Sequence, residues 1–226
     1  MRLELVTLPN IEEKLNSITT QIMDISISAR GILADENDYA EMKVNNEYEP
    51  IFSGRLDRYS LESNYRFIKY GENLKEKPSS FEFFKGERIL IRKIVSRKFR
   101  IIATLAKEKF VNKKDIYIFK NNSKDFSNKY LLGIINSKLL SFIKTKSSNA
   151  AKKDDFTQLT LNDIRNIRIP IPNKDIKGKF EDIIDMILNA KKEDSNSETA
   201  LLEKEIDRMV YALYGLTEEE IRMVDV

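Results

Sequence analysis

The stretch KYLLGIINSKLL, residues 129–140, lies near the middle of a 226-residue chain and guides the interpretation of the rest of it. Apolar residues from Tyr130 to Ile143 cover too broad an arc for an exposed helix, so we predict one helix packed across a sheet. We expect Asn136 and Ser137 to bond to nearby backbone. Two further stretches follow in order, FTQLTLNDIRNIRIPIP at 156–172 and EIDRMVYALYGLTEEEI at 205–221.

The sequence before this stretch predicts a sheet of short strands. Isoleucine and alanine alternate with serine over residues 24–29, which is the period of a half-buried strand that ends at Arg30. Two β-rich runs, 88–95 and 100–105, predict a hairpin with a basic tip between them. A further strand is predicted at 116–119.

Helical spacing occurs near both ends of the chain. Apolar residues four, three and four apart predict an amphipathic helix over about 10–22, with Asn10 and Glu13 as its capping pair. The run 167–172 is predicted as an edge or terminal strand, because its prolines cannot donate to a ladder. A helical hairpin and a last short helix are predicted after it, with these capping signals: Ser195 with Glu198, Gly215 as a left-handed stop, and Thr217 with Glu220.

These elements predict an α+β fold, in which a twisted sheet of short strands is packed by helices and followed by a C-terminal helical hairpin. We expect two parts, a recognition domain over 1–172 and the hairpin over 173–226 packed on it. The chain is long enough to bury a core, and its 41% hydrophobic and 33% charged residues are typical of globular proteins.

The composition excludes several kinds of site. The chain has no cysteine and no histidine, so it lacks disulfides, thiolate chemistry, zinc-cysteine sites and the commonest general base. No signal peptide is readable at the first residues, and no apolar run reaches the roughly 18 residues that span a bilayer. We therefore expect a cytoplasmic protein that is not bound to a membrane.

The net charge of +3 is unevenly distributed along the chain. Residues 85–114 contain eleven basic and two acidic residues, and residues 138–153 contain five basic and no acidic ones. Residues 193–226 reverse this balance, with ten acidic and three basic residues. The molecule should therefore offer a polyanion a preferred side to approach.

The three quoted stretches, in this order and spacing, resemble the C-terminal target-recognition domain of adenine-specific DNA methyltransferases and fused restriction-modification enzymes. This is the TaqI-like specificity domain, which is related to the specificity subunits of type I systems. ISISARGI at 25–32 resembles its opening strand and turn, and PIFSGRLDRY at 50–59 its second strand. The resemblance spans nearly the whole chain and implies sequence-specific recognition of double-stranded DNA.

The resemblance also implies that the chemistry happens elsewhere. A methyltransferase of this group needs a glycine-rich cofactor turn and an Asn-Pro-Pro-Tyr-like motif, and neither occurs in this sequence. We therefore expect no catalytic residue, cofactor site or metal site here. S-adenosylmethionine and magnesium are expected only in the full enzyme, whose methyltransferase or endonuclease domain lies in the same full-length chain or in a partner subunit.

Basic side chains can hold phosphates, and arginine can also read base edges in the major groove. The resemblance places four candidates in turns near the DNA-facing cleft: Arg30, Arg55, Arg58 and Tyr59. Five more lie along or beside the basic hairpin, where Phe99 could stack on a sugar or support the tip: Arg92, Lys93, Arg97, Lys98 and Arg100. The polar loop before Phe156 adds Lys144, Lys146, Lys152 and Lys153. Structural alternatives stay open: solvated edge lysines, a salt bridge of Arg58 with Asp57 or a neighbouring carboxylate, and core packing of Tyr59.

Three other functions stay open. The first is half of a type I specificity subunit, although a long coiled-coil spacer would then be expected. The second is a metal-dependent nuclease, because Asp24 followed by Glu41 and Lys43 imitates a magnesium-binding carboxylate set. The third is a protein-interaction module that uses the helical hairpin and has no preference for nucleic acid.

Overall fold

A computed structural model describes residues 8–18, 20–95, 99–146 and 158–225. The strands are β1 (Ser26–Arg30), β2 (Tyr39–Ala40), β3 (Tyr48–Phe52), β4 (Arg55–Asp57), β5 (Ser60–Glu62), β6 (Tyr65–Lys69), β7 (Arg88–Arg92), β8 (Ala103–Ala106) and β9 (Ile116–Asn121). The helices are α1 (Leu8–Ser17), α2 (Ile22–Ile25), α3 (Asn128–Asn136), α4 (Lys138–Lys146), α5 (Leu161–Arg165), α6 (Lys174–Glu193), α7 (Ala200–Leu213) and α8 (Glu218–Val224). Short 3-10 turns lie at Glu36–Asp38 and Phe81–Phe84.

The strands of the described residues form three antiparallel sheets. The largest has four strands in the order β1-β9-β7-β8, and a three-stranded sheet has the order β2-β6-β3. β4 and β5 form a two-stranded ribbon. The predicted basic hairpin is confirmed in its strands, since β7 and β8 are antiparallel neighbours with Ile91 opposite Ala103.

The four-stranded sheet is buried on both faces, which explains the continuous apolar runs of its central strands. Ile89 and Ile91 of β7, like Tyr117 and Phe119 of β9, face a core that the sheet shares with the helices. Leu90 faces the opposite way, into a second core beneath the three-stranded sheet. The helices, the four-stranded sheet and the three-stranded sheet therefore form successive layers, and the predicted α+β class is confirmed.

The helix predicted over 130–143 is in fact two helices, α3 and α4, that meet at Ser137. Ser137 has an extended backbone, with φ −64° and ψ 155°, and its hydroxyl accepts a hydrogen bond from the N–H of Leu140. The break lets the Asn136 side chain bond to the backbone of Ala103 on the edge strand β8. Asn136 and Ser137 thus bond to nearby backbone, as predicted.

The predicted C-terminal helical hairpin is confirmed as α6 and α7, followed by the short helix α8. Phe180 of α6 packs so closely on α3 that a Cβ atom at Gly133 would lie 2.3 Å from its ring. Gly215 ends α7 in the left-handed region at φ 65°, and Thr217 with Glu220 forms the predicted capping box. None of the described helices combines the length and apolarity needed to cross a bilayer.

The N-terminal helix differs from its prediction. α1 begins at Leu8, so Asn10 lies within the helix instead of capping it. Pro9 is tolerated in the first turn because N–H groups there have no partner in the helix. The run predicted as one helix over 10–22 is broken, since α1 ends at Ser17 and α2 is a separate short helix before β1.

Two predictions in the C-terminal half are also wrong in detail. The N-cap of α7 is Thr199, not the predicted Ser195. Residues 167–172 form no strand, and an isolated antiparallel bridge joins Arg168 to Gln21 instead. The two prolines of this run remove N–H groups that a ladder would need, so pairing stops after one bridge.

Candidate nucleic-acid interface

One end of the four-stranded sheet gathers the ends of all its strands. β1 and β7 finish there, whereas β8 and β9 begin there, because neighbouring strands are antiparallel. Arg30, Tyr117, Ile91 and Ala103 stand opposite one another across the four strands at this end. We call this region the basic sheet end and define it by Arg30, Arg92, Lys93, Lys113 and Lys114.

The strands supply three of these cations, all of them predicted from the sequence. Arg30 is exposed at the end of β1, and Arg92 and Lys93 are half-buried at the end of β7. Their side chains make no hydrogen bond or ion pair with the part of the chain that the structure describes. The charges of these residues are therefore available to a partner.

The turn before β9 adds two exposed lysines that sequence reasoning missed. The N–H of Lys114 donates to the carbonyl of Ile32 at 2.9 Å, which places this turn directly after the end of β1. Lys113 is its neighbour, and the exposed Asp115 follows with its carbonyl accepting from the N–H of Lys93 at 2.8 Å. Both lysines belong to the basic run noted in the sequence, but only the fold brings them beside Arg30 and Lys93.

Lys144 borders the basic sheet end from the helical layer. It lies one turn after Ser141 of α4, whose hydroxyl accepts from the N–H of Ile101 at 3.1 Å. Burial lowers the pKa of Lys144, although the nearby charges of Asp163 and Glu12 oppose this shift. A cavity of about 240 Å³ opens beside it between α1 and α4. The half-buried ammonium group of Lys144 makes no hydrogen bond within the described residues, so it can pair with an anion at this position.

Two connections leave the basic sheet end next to each other. The N–H of Leu159 donates to the carbonyl of Lys93 at 2.8 Å, and Ile94 forms an isolated bridge with Gln158. Residues 158 and 159, which follow the stretch 147–157, therefore lie beside residues 93 and 94, which come shortly before the stretch 96–98. Four predicted DNA contacts lie outside the described residues: Arg97, Lys98, Lys152 and Lys153. A fifth, Lys146, is described in its backbone but not in its side chain.

Arg58 and Arg100 are half-buried and bond within the protein. Both donate to the backbone carbonyl of Asn136, at 3.1 Å and 2.8 Å respectively. Arg58 also pairs with Glu203 of α7 at 2.6 Å, and Arg100 lies 4.0 Å from Asp207 of the same helix. Both arginines are predicted DNA contacts, but these bonds within the protein favour a structural role, because terminal N–H groups of each guanidinium are already directed at acceptors inside the fold.

Asp207 extends this network to α4. Its carboxylate accepts from the N–H of Lys138 at 2.7 Å, at the start of the helix where N–H groups lack helical partners. Burial raises the pKa of Asp207, although the bond from Lys138 and the charge of Arg100 oppose the shift. Burial likewise lowers the pKa of Arg100. Buried hydrogen bonds and ion pairs of this network therefore connect the edge of the large sheet, the α3–α4 break and α7.

Tyr59 and Arg55, two further predicted DNA contacts, lie in different surroundings. Tyr59 is 2% exposed, and burial raises its pKa to about 12. Its ring belongs to the core shared with the helices, so the alternative of core packing describes it. Arg55 is exposed on the β4–β5 ribbon, where it forms an ion pair with Asp57.

The carboxylates that suggested a nuclease form no site among the described residues. Asp24 accepts from the N–H of Gln21 at 2.7 Å and caps α2. Glu41 pairs with Arg66 at 2.8 Å. No group of three or more acidic side chains within the described ranges could hold a metal ion. The geometry therefore gives no support to the nuclease alternative.

A restriction-modification protein is similar in sequence to this chain. A putative type II restriction enzyme and methyltransferase of Methanocaldococcus jannaschii, RM.MjaORFECS2P, is 32% identical over 212 residues. The alignment covers 92% of this chain and 18% of that protein. The chain thus spans about a fifth of the length of this relative.

Solved structures are similar in fold. The type IIL restriction-modification enzyme MmeI, determined in complex with DNA, matches with a TM-score of 0.61 and 11% identity, over 92% of this chain and 36% of its own. The HsdS subunit from Thermoanaerobacter tengcongensis matches with a TM-score of 0.47 and 13% identity, over 91% of this chain and 50% of that subunit.

A family model matches more than half of the chain. It covers residues 49–171, from strand β3 to the proline run after α5, and describes the TaqI-like C-terminal specificity domain. The resemblance inferred from the three sequence stretches is thereby confirmed. This chain belongs to the family of TaqI-like C-terminal specificity domains.

Proposed function

We propose that this chain reads a base sequence in double-stranded DNA, as the target-recognition part of a restriction-modification enzyme that methylates adenine. Membership of a specificity-domain family is the observation that carries the proposal. A specificity domain needs exposed cations to hold phosphates and planar donors to reach base edges. The basic sheet end offers four such cations, Arg30, Arg92, Lys93 and Lys114, and its two arginines are also planar donors.

The spacing of the basic sheet end suits a duplex. Neighbouring strands lie about 4.8 Å apart, so β1 and β7, with β9 between them, are separated by about 10 Å. The major groove is about 12 Å wide and admits a two-stranded β-ribbon. In our proposal the β7–β8 hairpin enters this groove, and Arg30 contacts a phosphate beside it.

Catalysis is proposed to take place outside this chain. S-adenosylmethionine and magnesium would bind to a methyltransferase or endonuclease domain, either in the same full-length chain or in a partner subunit. The acidic C-terminal helices would face that domain, because their charge repels phosphates. In this scheme residues 1–172 recognise DNA, residues 173–226 support them, and the enzyme acts on DNA in the cytoplasm.

Half of a type I specificity subunit is the second candidate. Such a subunit is expected to carry a long coiled-coil spacer. In this chain α6 and α7 instead turn back on each other as a hairpin and pack together. This arrangement favours the fused enzyme over the type I subunit.

Selection from a randomised duplex pool tests the proposal. The chain is immobilised, the duplexes that it retains are sequenced, and the affinity for the selected duplex is measured between low and physiological salt. We expect one short sequence to be enriched and the affinity to fall steeply with salt, because several phosphates are neutralised. Enrichment of no sequence, or binding that ignores salt, would overturn the proposal.

A further inference from the structure

Phe99 is an exposed aromatic residue in a backbone conformation that bulky side chains rarely adopt. It lies in the connection between β7 and β8, and 58% of its surface is exposed. Its φ is 54°, in the left-handed region that favours glycine. A bulky residue keeps such a conformation only where the surrounding structure fixes it, and such positions cluster at functional sites.

The residues after Phe99 form a fixed base for it. Arg100 donates to the carbonyl of Asn136 at 2.8 Å, and Ile101 donates its N–H to Ser141 at 3.1 Å. Ile101 is also buried in the core shared with the helices. The Phe99 ring therefore projects from a well-anchored position, which is what precise contact with a partner requires.

The chemistry around Phe99 indicates what it contacts. Arg92 ends β7 and Lys93 begins the same connection, so the partner that approaches carries negative charge. In the major groove of DNA the apolar feature is the C5 methyl group of thymine, which side chains such as phenylalanine contact. Double-stranded DNA therefore matches both features of this region. Its phosphates suit the cations, and the thymine methyl group, in a groove wide enough for a hairpin, suits the aromatic ring.

We propose that Phe99 is a specificity-determining residue that packs on the C5 methyl group of one thymine in the recognised sequence. The inference rests on the proposed function and adds the chemical group that one residue reads. It also explains why a large apolar side chain is held in water beside a basic surface, since the contact with DNA would remove it from water.

Replacement of thymine by uracil removes only this methyl group. The wild-type chain and the Phe99→Ala variant first select duplexes from the same randomised pool. Leu201→Ala serves as the matched control, because Leu201 is 85% exposed on α7. The affinity of each protein is then measured for the selected duplex with each thymine replaced in turn by uracil. Phe99→Leu is a second variant that keeps an apolar side chain, and circular dichroism checks that all variants are folded.

We expect one thymine whose replacement weakens binding of the wild-type and Leu201→Ala proteins about three- to fivefold, as burial of one methyl group predicts. The same replacement should leave the affinity of Phe99→Ala unchanged and have an intermediate effect on Phe99→Leu. Equal losses in the wild type and Phe99→Ala, or the lack of a sensitive thymine, would overturn this contact while DNA recognition stands. A wild-type chain that enriches no sequence would overturn the proposed function and this inference together.

Discussion

The side-chain amide of Asn136 brackets Ala103: it donates to the carbonyl of Ala103 at 2.9 Å and accepts from its N–H at 3.0 Å. Ala103 lies on β8, the edge strand of the four-stranded sheet. Asn136 therefore takes the place that a further strand would have at this point. Its own backbone carbonyl receives Arg58 and Arg100, so a single buried residue joins the sheet edge to the polar network.

Asn136→Ala should lower the free energy of unfolding by about 2–3 kcal/mol, because it leaves a buried backbone N–H without a partner. Urea unfolding followed by circular dichroism measures this change. Asn122→Ala, at an exposed asparagine, is the control and should change the free energy by less than about 0.5 kcal/mol. Similar values for the two variants would contradict the role given to Asn136.

Neutralising the basic sheet end should weaken DNA binding and flatten its salt dependence. If Arg30, Arg92 and Lys93 each hold one phosphate, substituting any of them by glutamine should reduce the slope of log affinity against log salt by about 0.9. Fluorescence anisotropy with the selected duplex, repeated over a series of salt concentrations, measures the slope. A triple variant with the wild-type slope would show that the duplex binds elsewhere.

Arg58→Gln tests whether Arg58 is bonded within the protein or holds a phosphate of the duplex. The substitution should leave the salt slope unchanged, because Arg58 is bonded inward to Asn136 and Glu203. It should lower the free energy of unfolding by about 2–3 kcal/mol, since a half-buried carboxylate loses its charged partner. The opposite pattern, a flatter slope with unchanged stability, would place Arg58 on DNA as the sequence first suggested.

Glu220 makes stability depend on pH. Burial opposes ionisation of Glu220, but hydrogen bonds from Lys14 and from the N–H of Thr217 outweigh it and lower the pKa of this carboxyl. A carboxyl with a lowered pKa in the folded state stabilises the fold above its unfolded pKa, and this contribution is lost as the pH falls through the folded value. Glu220→Gln should therefore cost about 1–2 kcal/mol at pH 7 and much less at pH 3.

Urea unfolding of the wild-type and Glu220→Gln proteins at both pH values measures this difference. Glu218→Gln, at an exposed carboxylate in the first turn of α8, is the matched control and should show a small difference at either pH. If the cost of Glu220→Gln stays the same from pH 7 to pH 3, the hydrogen-bonded carboxylate is not its cause.

Local patterns in the sequence predicted the elements that depend on nearby residues. The alternation of β1, the hairpin of β7 and β8, and the stop at Gly215 with the Thr217 capping box follow from spacing and from residue type. The resemblance to the specificity-domain family likewise rested on three local stretches and on their order along the chain. These features need no knowledge of long-range contacts.

Features that depend on distant partners were beyond such patterns. The helix predicted through Ser137 is broken because Asn136 bonds to a strand 33 positions away. Arg58 and Arg100 were predicted as DNA contacts, and only the approach of α7 shows that they face carboxylates within the protein. Conversely, Lys114 comes beside Arg30 only when β1 and β9 pair. Charge alone identified the basic region, but tertiary contacts decide which of its members face a partner.

Lysine reactivity shows whether the duplex lies against the basic sheet end. The folded chain is acetylated briefly with and without the selected duplex, and modification at each lysine is quantified by mass spectrometry. We predict that DNA protects Lys93, Lys113 and Lys114, whereas Lys192 and Lys204, exposed on the C-terminal helices, react equally in both samples. Protection of Lys192 and Lys204 with unchanged reactivity at Lys93 and Lys114 would place the duplex on the C-terminal helices instead of the basic sheet end.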